Sequence, residues 1–305
     1  MKYPPPQTLA DWIRWAERHL QRARLYFGHG TETALDEAAW LVGHVAGHAP
    51  DDLEAHLADV PSATELEKIR ALVEARVATR KPLAYLLNEA WFAGLKFYVD
   101  ARVLVPRSIT GEYIRERFVP WLQPENVQRA LDLCTGSGCI AIALAQAFPQ
   151  ARVDATDISD DALAVARINV EQYGLRERVK LIKSDLFERL AGVRYDLIVT
   201  NPPYVARADM QSLPAEYRHE PALALAAGEH GLDVIVKILA RAADYLTPAG
   251  VLVAEVGNSH TTLAAAFPQV PFLWLTSETG DESVFLLTAA QLVQHRGRFA
   301  VAVPV

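Results

Sequence analysis

The sequence has little cysteine, no long apolar run and no excess of positive charge. Its two cysteines, Cys134 and Cys139, lie five positions apart in a 305-residue chain. That spacing offers no disulfide framework, and a reducing, cytoplasmic compartment is expected. No apolar run reaches the roughly 20 residues that cross a bilayer. The opening Met1-Lys2-Tyr3-Pro4-Pro5-Pro6 has no signal-peptide core, so no membrane partner is expected. The net charge of −7 argues against broad, sequence-independent binding of nucleic acid, though not against a local basic patch. What is present is an ordinary globular balance, 51% hydrophobic and 22% charged, in a chain long enough for a large domain and a smaller one.

Residues 1–87 read as a helical domain. Leu9, Trp12, Ile13, Ala16, Leu20 and Ala23 recur at helical spacing and predict a helix over 8–27, ended by Gly28 and Gly30. A second is predicted over 33–47, a short one near 51–57, and another from Ser62, where Glu65 three positions on completes a capping-box pattern. Arg14, Arg18 and Arg22 form a stripe that reads as a solvated face, since Asp11 and Glu17 share the segment. His44 and His48 stand four apart, but no third ligand lies nearby in sequence, so no metal site is expected. Residues 1–88 carry 10 Lys+Arg against 12 Asp+Glu, which is no basic reading head.

Residues 88–108 read as a β-hairpin linker centred on Trp91 to Val99, followed by an extended piece, Val103-Leu104-Val105. Residues 109–305 form the main domain. After a helix over 110–122, strands and helices alternate: strands near 130–133, 152–156, 179–183, 195–200, 251–256, 271–276 and 283–289. Alternation of that kind predicts an α/β, Rossmann-like sheet.

The first strand ends in Asp132-Leu133-Cys134-Thr135-Gly136-Ser137-Gly138, and an apolar helix follows. Glycines there permit a tight turn and a close approach of backbone to ligand. Nineteen residues after Gly138 comes Asp157, at the tip of the second strand, where an acid can take both ribose hydroxyls of an adenosine. Asp185 closes the third strand, within reach of an adenine amine or as a helix N-cap. Gly136-Ser137-Gly138-Cys139-Ile140-Ala141 also fits the dinucleotide pattern, but hydride chemistry gives no reason for the loop that comes next.

That loop is Asn201-Pro202-Pro203-Tyr204, directly after the strand that ends at Thr200. Two prolines force the chain to turn where a sheet of this kind presents its ligands. An Asn oxygen and a proline-flanked carbonyl can grip both hydrogens of a flat NH2 group, and Tyr204 can lie on its face. Such a nitrogen is a poor nucleophile, so help comes from positioning and electrostatics. A Pro-Pro turn with a capping Asn is the alternative reading of the tetrapeptide alone. The irregular stretch 205–229 that follows suits a lid or substrate clamp.

Taken together, Asp132 to Gly138, Asp157 and Asn201 to Tyr204 resemble the protein-glutamine methyltransferases of the HemK/Prm family, well over residues 85–290 and more loosely before. Val103-Leu104-Val105-Pro106-Arg107-Ser108 with Gly111-Glu112 is similar to the branch acting on ribosomal protein L3; the release-factor branch typically has proline where this chain has Ser108. The resemblance implies a seven-stranded mixed sheet and a helical domain that helps select a protein substrate. It implies S-adenosylmethionine as donor, S-adenosylhomocysteine as product, and no metal. Asp132, Thr135, Gly136, Gly138, Asp157, Asp185, Leu186 and Asn201 would hold the donor, Leu186 standing where the release-factor branch often has Trp. Asn201, Pro202, Pro203 and Tyr204 would hold the substrate glutamine, with Asn201, Pro202 and Tyr204 at the reacting amide. No stable nucleic-acid partner is expected. Release factors, or an exocyclic amine of a nucleic acid, are the alternative substrates.

Overall fold

A computed structural model of the chain describes residues 6–302; Met1 to Pro5, read above for a leader, lie outside the described residues. The chain forms two compact units. One comprises residues up to 90 with 99–101 and 214–219; the other comprises 91–98, 102–213 and 220 onward.

The first unit is helical: α1 (Leu9–Arg22), α2 (Ala34–Ala46), α3 (Ala63–Thr79) and α4 (Leu83–Leu87). Thr8, Thr33 and Ser62 each open a helix with a reciprocal capping box, to Asp11, Asp36 and Glu65. The first helix stops short of the expected residue 27 because Arg24 turns to φ 52°. The stripe Leu9, Trp12, Ile13, Ala16 and Leu20 is buried against Ala38, Leu41 and Val42 of α2 and Ile69 and Val73 of α3. Residues 51–57, expected as a short helix, give one 3-10 turn, Leu53–His56. Inside this unit Arg76 is fully buried, donating to Glu37 Oε1 at 2.7 Å, and Glu216 of the 214–219 segment is paired with Arg80 at 2.6 Å. His44 and His48 do not act together. His44 meets Glu89 at 2.9 Å, while His48 stacks on His56 with centroids 3.9 Å apart.

The second unit begins at Trp91, inside the hairpin of β1 (Ala90–Phe92) and β2 (Leu95–Phe97), whose turn has positive φ at Ala93 and Gly94, the I′ geometry that matches strand twist. Val103 to Val105 join no strand, because Val105 N–H goes to a side chain, Glu220 Oε1, at 3.0 Å. The helix expected over 110–122 is α5 (Thr110–Arg115), cut short where Arg117 and Phe118 both take positive φ.

Then come β3 (Arg129–Leu133), α6 (Cys139–Ala147), β4 (Arg152–Asp157), α7 (Asp160–Gln172), β5 (Val179–Lys183), β6 (Tyr195–Thr200), α8 (Arg207–Ser212), α9 (Asp233–Tyr245), β7 (Leu246–Glu255), α10 (His260–Ala266), β8 (Leu273–Leu275), β9 (Val284–Thr288) and α11 (Ala289–Ala302). The sheet is seven-stranded and mixed, in the order β5-β4-β3-β6-β7-β9-β8, with β9 antiparallel to both neighbours. Successive strand residues serve opposite faces, as the period of two requires. Ala130, Leu197, Val199, Val251 and Val253 join the core that includes α6. Leu131, Ile198, Leu252 and Phe285 join the core that includes α9 and α11. The terminal helix α11 was not expected. Thr288 and Gln291 cap its start reciprocally, a signal that is present in the sequence. Strand order reverses between β3 and β6, so their carboxyl ends open a crevice at the topological switch point.

Candidate active site

Four strand ends meet at that crevice. Asp132, in β3, is fully buried. Its Oδ2 accepts from Thr135 Oγ1 at 2.6 Å and from Ala141 N at 3.0 Å. Its Oδ1 is buried with no hydrogen-bond partner. Burial pushes this carboxyl up to about 7, against the pull of those two hydrogen bonds. The loop beyond it turns through positive φ at Cys134, Gly136 and Gly138. Gly138 is there for packing: a Cβ would stand 3.2 Å from Ala166 Cβ of α7.

Asp157 ends β4. Its Oδ2 accepts from Gly136 N at 2.9 Å and its Oδ1 from Ser159 N at 2.9 Å, so it already braces the glycine loop. Burial raises its pKa above the ordinary carboxylate value. After β5 the chain passes Ser184 and Asp185 to Leu186, which takes φ +44°, strained for a bulky residue. After β6, Asn201 leaves its Oδ1 buried and unpartnered.

The turns around Tyr204 hold it tightly. Its carbonyl accepts from Ser259 Oγ at 2.9 Å. A Cβ on Gly231 would lie 2.3 Å from that carbonyl oxygen, and one on Gly257 would lie 2.4 Å from the ring atom Cε2. Burial pushes the Tyr204 hydroxyl up to about 12. Beyond it, the 205–229 stretch closes on itself. Val205 bridges to Ala226, with Val205 N donating to Leu225 O at 2.8 Å and Ala227 N to Val205 O at 2.9 Å.

These ends line a cavity of about 310 Å³. Cys134 and Gly136 contribute from the first loop, Thr156 to Ser159 from the second, Ser184 to Leu186 from the third, and Asn201 and Pro203 from the fourth. Of the expected donor-binding residues, Gly136, Asp157, Asp185, Leu186 and Asn201 face this cavity. Asp132, Thr135 and Gly138 lie outside its lining; the first two form a buried brace and the third is a packing point. Sequence reasoning missed Arg102 to Leu104, Leu223, Ala224, Val234 and Lys237 in the wall. It also missed Gly257 and Ser259 behind Tyr204. A signal existed for the last two, since they follow a strand ending at the carboxyl edge of the sheet; the wall residues carry none.

The profile of the PrmC N-terminal domain matches residues 11–87, and that of the methyltransferase small domain matches 116–216. Over 287 residues the chain is 48% identical to the ribosomal protein uL3 glutamine methyltransferase of Neisseria meningitidis serogroup B, covering 94% of each. It is 49% identical, over 94% of this chain and 96% of the relative, to the Bordetella pertussis protein of the same name. The chain belongs to the HemK/Prm family of protein-glutamine methyltransferases. Among solved structures, the hMettl16 catalytic domain in complex with MAT2A 3′UTR hairpin 1 superposes with a TM-score of 0.51 at 17% identity, over 81% of this chain and 91% of that one. That likeness is one of fold.

Enzymes of this family use S-adenosylmethionine, and the residues present fit it. The acid at the tip of β4, on the cavity wall, suits a ligand that brings two ribose hydroxyls, and the buried, unpartnered Oδ1 of Asp132 behind that wall suits one that carries positive charge. Asp157→Ala is expected to weaken donor binding about tenfold or more in calorimetry, through loss of charge-assisted hydrogen bonds and of the brace on Gly136. An unchanged affinity would remove Asp157 from the ribose site.

Proposed function

We propose that this enzyme transfers a methyl group from S-adenosylmethionine to the side-chain amide nitrogen of a glutamine in ribosomal protein uL3. The observation that carries the reading of the site is the buried oxygen of Asn201, an acceptor with no partner, in the wall of a cavity at the switch point. A buried acceptor of this kind is costly unless a ligand supplies the missing donor. The naming of the substrate rests on what the Neisseria and Bordetella relatives act on.

In this reading S-adenosylmethionine, when bound, supplies a methyl on a positively charged sulfur and leaves as S-adenosylhomocysteine. Gly136, Asp157, Asp185 and Leu186 hold it, with Asp132 and Thr135 behind them and Gly138 setting the turn. Asn201 Oδ1 accepts one amide hydrogen of the glutamine and the Pro202 carbonyl accepts the other. Pro203 keeps the loop rigid, and Tyr204 lies against the amide plane. No side chain need remove a proton before attack; the proton on nitrogen leaves afterwards to water, so the residues act by positioning. No metal and no stable nucleic-acid partner enter the reading, and the compartment is the cytoplasm.

Asp132 gives the reading a pH signature. Its folded pKa is raised, so in the donor-free protein its contribution to stability is full below the unfolded value and is lost as pH rises through about 7. A positively charged donor bound in front of this buried carboxylate favours its ionised form and reverses that preference. Donor affinity is therefore expected to rise between about pH 5.5 and 7.5, and Asp132→Asn to flatten the profile, in calorimetry at fixed ionic strength.

The direct test is methyl transfer from labelled donor to purified uL3 and to a class I release factor, with mass mapping. Label on a glutamine of uL3 alone is expected. Label on the release factor alone would overturn the substrate, and label on RNA or DNA but neither protein would overturn the reading as a protein methyltransferase.

A further inference from the structure

Residues Arg102 to Ile109 belong to no strand, and only at Thr110 does α5 begin. Yet Val103, Val105 and Pro106 are buried, and Arg102, Val103 and Leu104 wall the cavity. Two buried glutamates tie this strap down, each 6% exposed. Glu220 Oε1 accepts from Val105 N at 3.0 Å and Arg107 Nη1 at 2.6 Å, and its Oε2 from Arg107 Nη2 at 2.7 Å. Glu255 Oε2 accepts from Ser108 Oγ at 2.5 Å. The Ser108 and Thr110 hydroxyls lie 2.5 Å apart, so Ser108 is the centre of a short polar chain.

Where Glu255 stands gives this tie its meaning. It is the last residue of β7, whose partner β6 pairs Thr200 with Ala254. Glu255 is therefore one rung further, level with Asn201 at the start of the catalytic loop. Two residues on is Gly257, against which the Tyr204 ring packs. The carboxylate thus joins three parts: the strap that walls the cavity, the strand beside Asn201, and the turn under Tyr204. A buried carboxylate is a costly way to join backbone segments, and apolar packing would do so at less expense in free energy. Its two directional acceptors instead fix the strap in one register.

We propose that Glu255, acting through Ser108, is a positioning residue for the protein substrate, setting the strap 102–108 so that the glutamine-bearing chain meets Asn201 and Tyr204 in register. Among the wall residues, Leu223 is 59% exposed, an apolar contact of the kind an extended polypeptide uses. The residues expected to hold the donor come from the loops after β3, β4 and β5; Arg102 to Leu104 share the cavity wall with them, but Ser108 and Glu255 stand outside that lining. The inference rests on the proposed function and separates the two ligands of the site: the strap pair governs the protein, the glycine loop the donor.

The experiment is steady-state methylation of purified uL3 at saturating donor, with donor affinity measured by calorimetry on the same full-length proteins. The variants are Ser108→Ala, Ser108→Thr, Glu255→Gln and the double variant S108A/E255Q. Ser108→Ala and Glu255→Gln should each lower kcat/KM for uL3 about ten- to a hundredfold, mainly through KM, with donor Kd held within about twofold. Ser108→Thr keeps the hydroxyl and should restore most of the loss. The double variant should be no worse than Glu255→Gln, because the two act as one unit. A role in folding alone would lower donor affinity and protein-substrate efficiency together, and that outcome overturns the proposal. So does a kcat/KM for uL3 within about twofold of the parent enzyme in Ser108→Ala, the milder change. A parent enzyme that labels no protein at all overturns the proposed function, and this inference falls with it. A parent that labels uL3, with variants that do so equally well, overturns this inference alone.

Discussion

Asn201→Ala is expected to reduce methyl transfer to uL3 by about 10²- to 10³-fold while leaving donor affinity within a few fold. The size follows from what the side chain has to do. An amide nitrogen shares its lone pair with the carbonyl, so it attacks only when its hydrogens are held and its lone pair is turned toward the methyl group. In the proposed mechanism Asn201 Oδ1 is one of two acceptors for those hydrogens, and in the structure it is buried with no partner. Alanine removes the acceptor and leaves the Pro202 carbonyl to hold the group by one hydrogen. The residues proposed to hold the donor, Gly136, Asp157 and the Ser184–Leu186 turn in the cavity wall, are untouched by the change, so donor binding should change little. The measurement is a single-turnover rate with labelled donor beside a calorimetric Kd. A variant with full transfer would sink the assigned role, and one that lost donor and transfer alike would make Asn201 a donor residue.

Gly257→Ala should be nearly as damaging, although Gly257 is not expected to touch either ligand. The residue sits at φ +46°, and its Cβ would lie 2.4 Å from Cε2, 2.6 Å from Cζ and 2.9 Å from Cδ2 of Tyr204. No real Cβ tolerates such contacts, so the ring must move. Tyr204 cannot yield through its backbone, since its carbonyl is held by Ser259 Oγ and crowded by Gly231. The ring is therefore displaced from the position where it would meet the amide plane, and transfer should fall about 100-fold with donor Kd unchanged within about threefold. Gly94→Ala is the control. Gly94 also has positive φ, at +78°, but its Cβ would meet nothing within 4 Å. That change should cost about 1 to 2 kcal/mol of stability and no activity. Urea unfolding of both variants, run beside the transfer assay, checks the comparison. If the two lose activity alike, the cause is backbone strain and not the Tyr204 ring.

Local order determined what could be read from the chain alone. Four helix starts obey capping boxes, and one of them, Ser62 with Glu65, is read without difficulty. Strand positions in β3 to β7 follow from short apolar runs, because a strand buried on both faces needs them. The residues proposed to carry the chemistry were legible for a related reason. Asp132, Asp157 and Asn201 are each at or next to a strand end, and strand ends are where a sheet of this class presents groups to ligands. Motif spacing along the chain is then nearly the same information as proximity in space.

Where two distant segments had to find each other, the sequence was silent. Val103 to Val105 look like a strand, yet the backbone of Val105 is claimed by Glu220, 115 positions away. His44 and His48 look like a pair, yet each turns to a different neighbour, Glu89 and His56. The 214–219 segment reads as part of an irregular lid or clamp, yet Glu216 is fully buried against Arg80. Ser108 and Glu255 give no sign of each other across 147 positions. The chain by itself thus determined the family, the sheet and the residues expected at the reacting amide, because those rest on local spacing at strand ends. Only the tertiary structure decided how Tyr204 is seated, which acids brace the glycine loop, and what ties down the wall of the cavity. Those depend on buried polar groups finding partners far away in sequence, and no local pattern encodes which partner each will take.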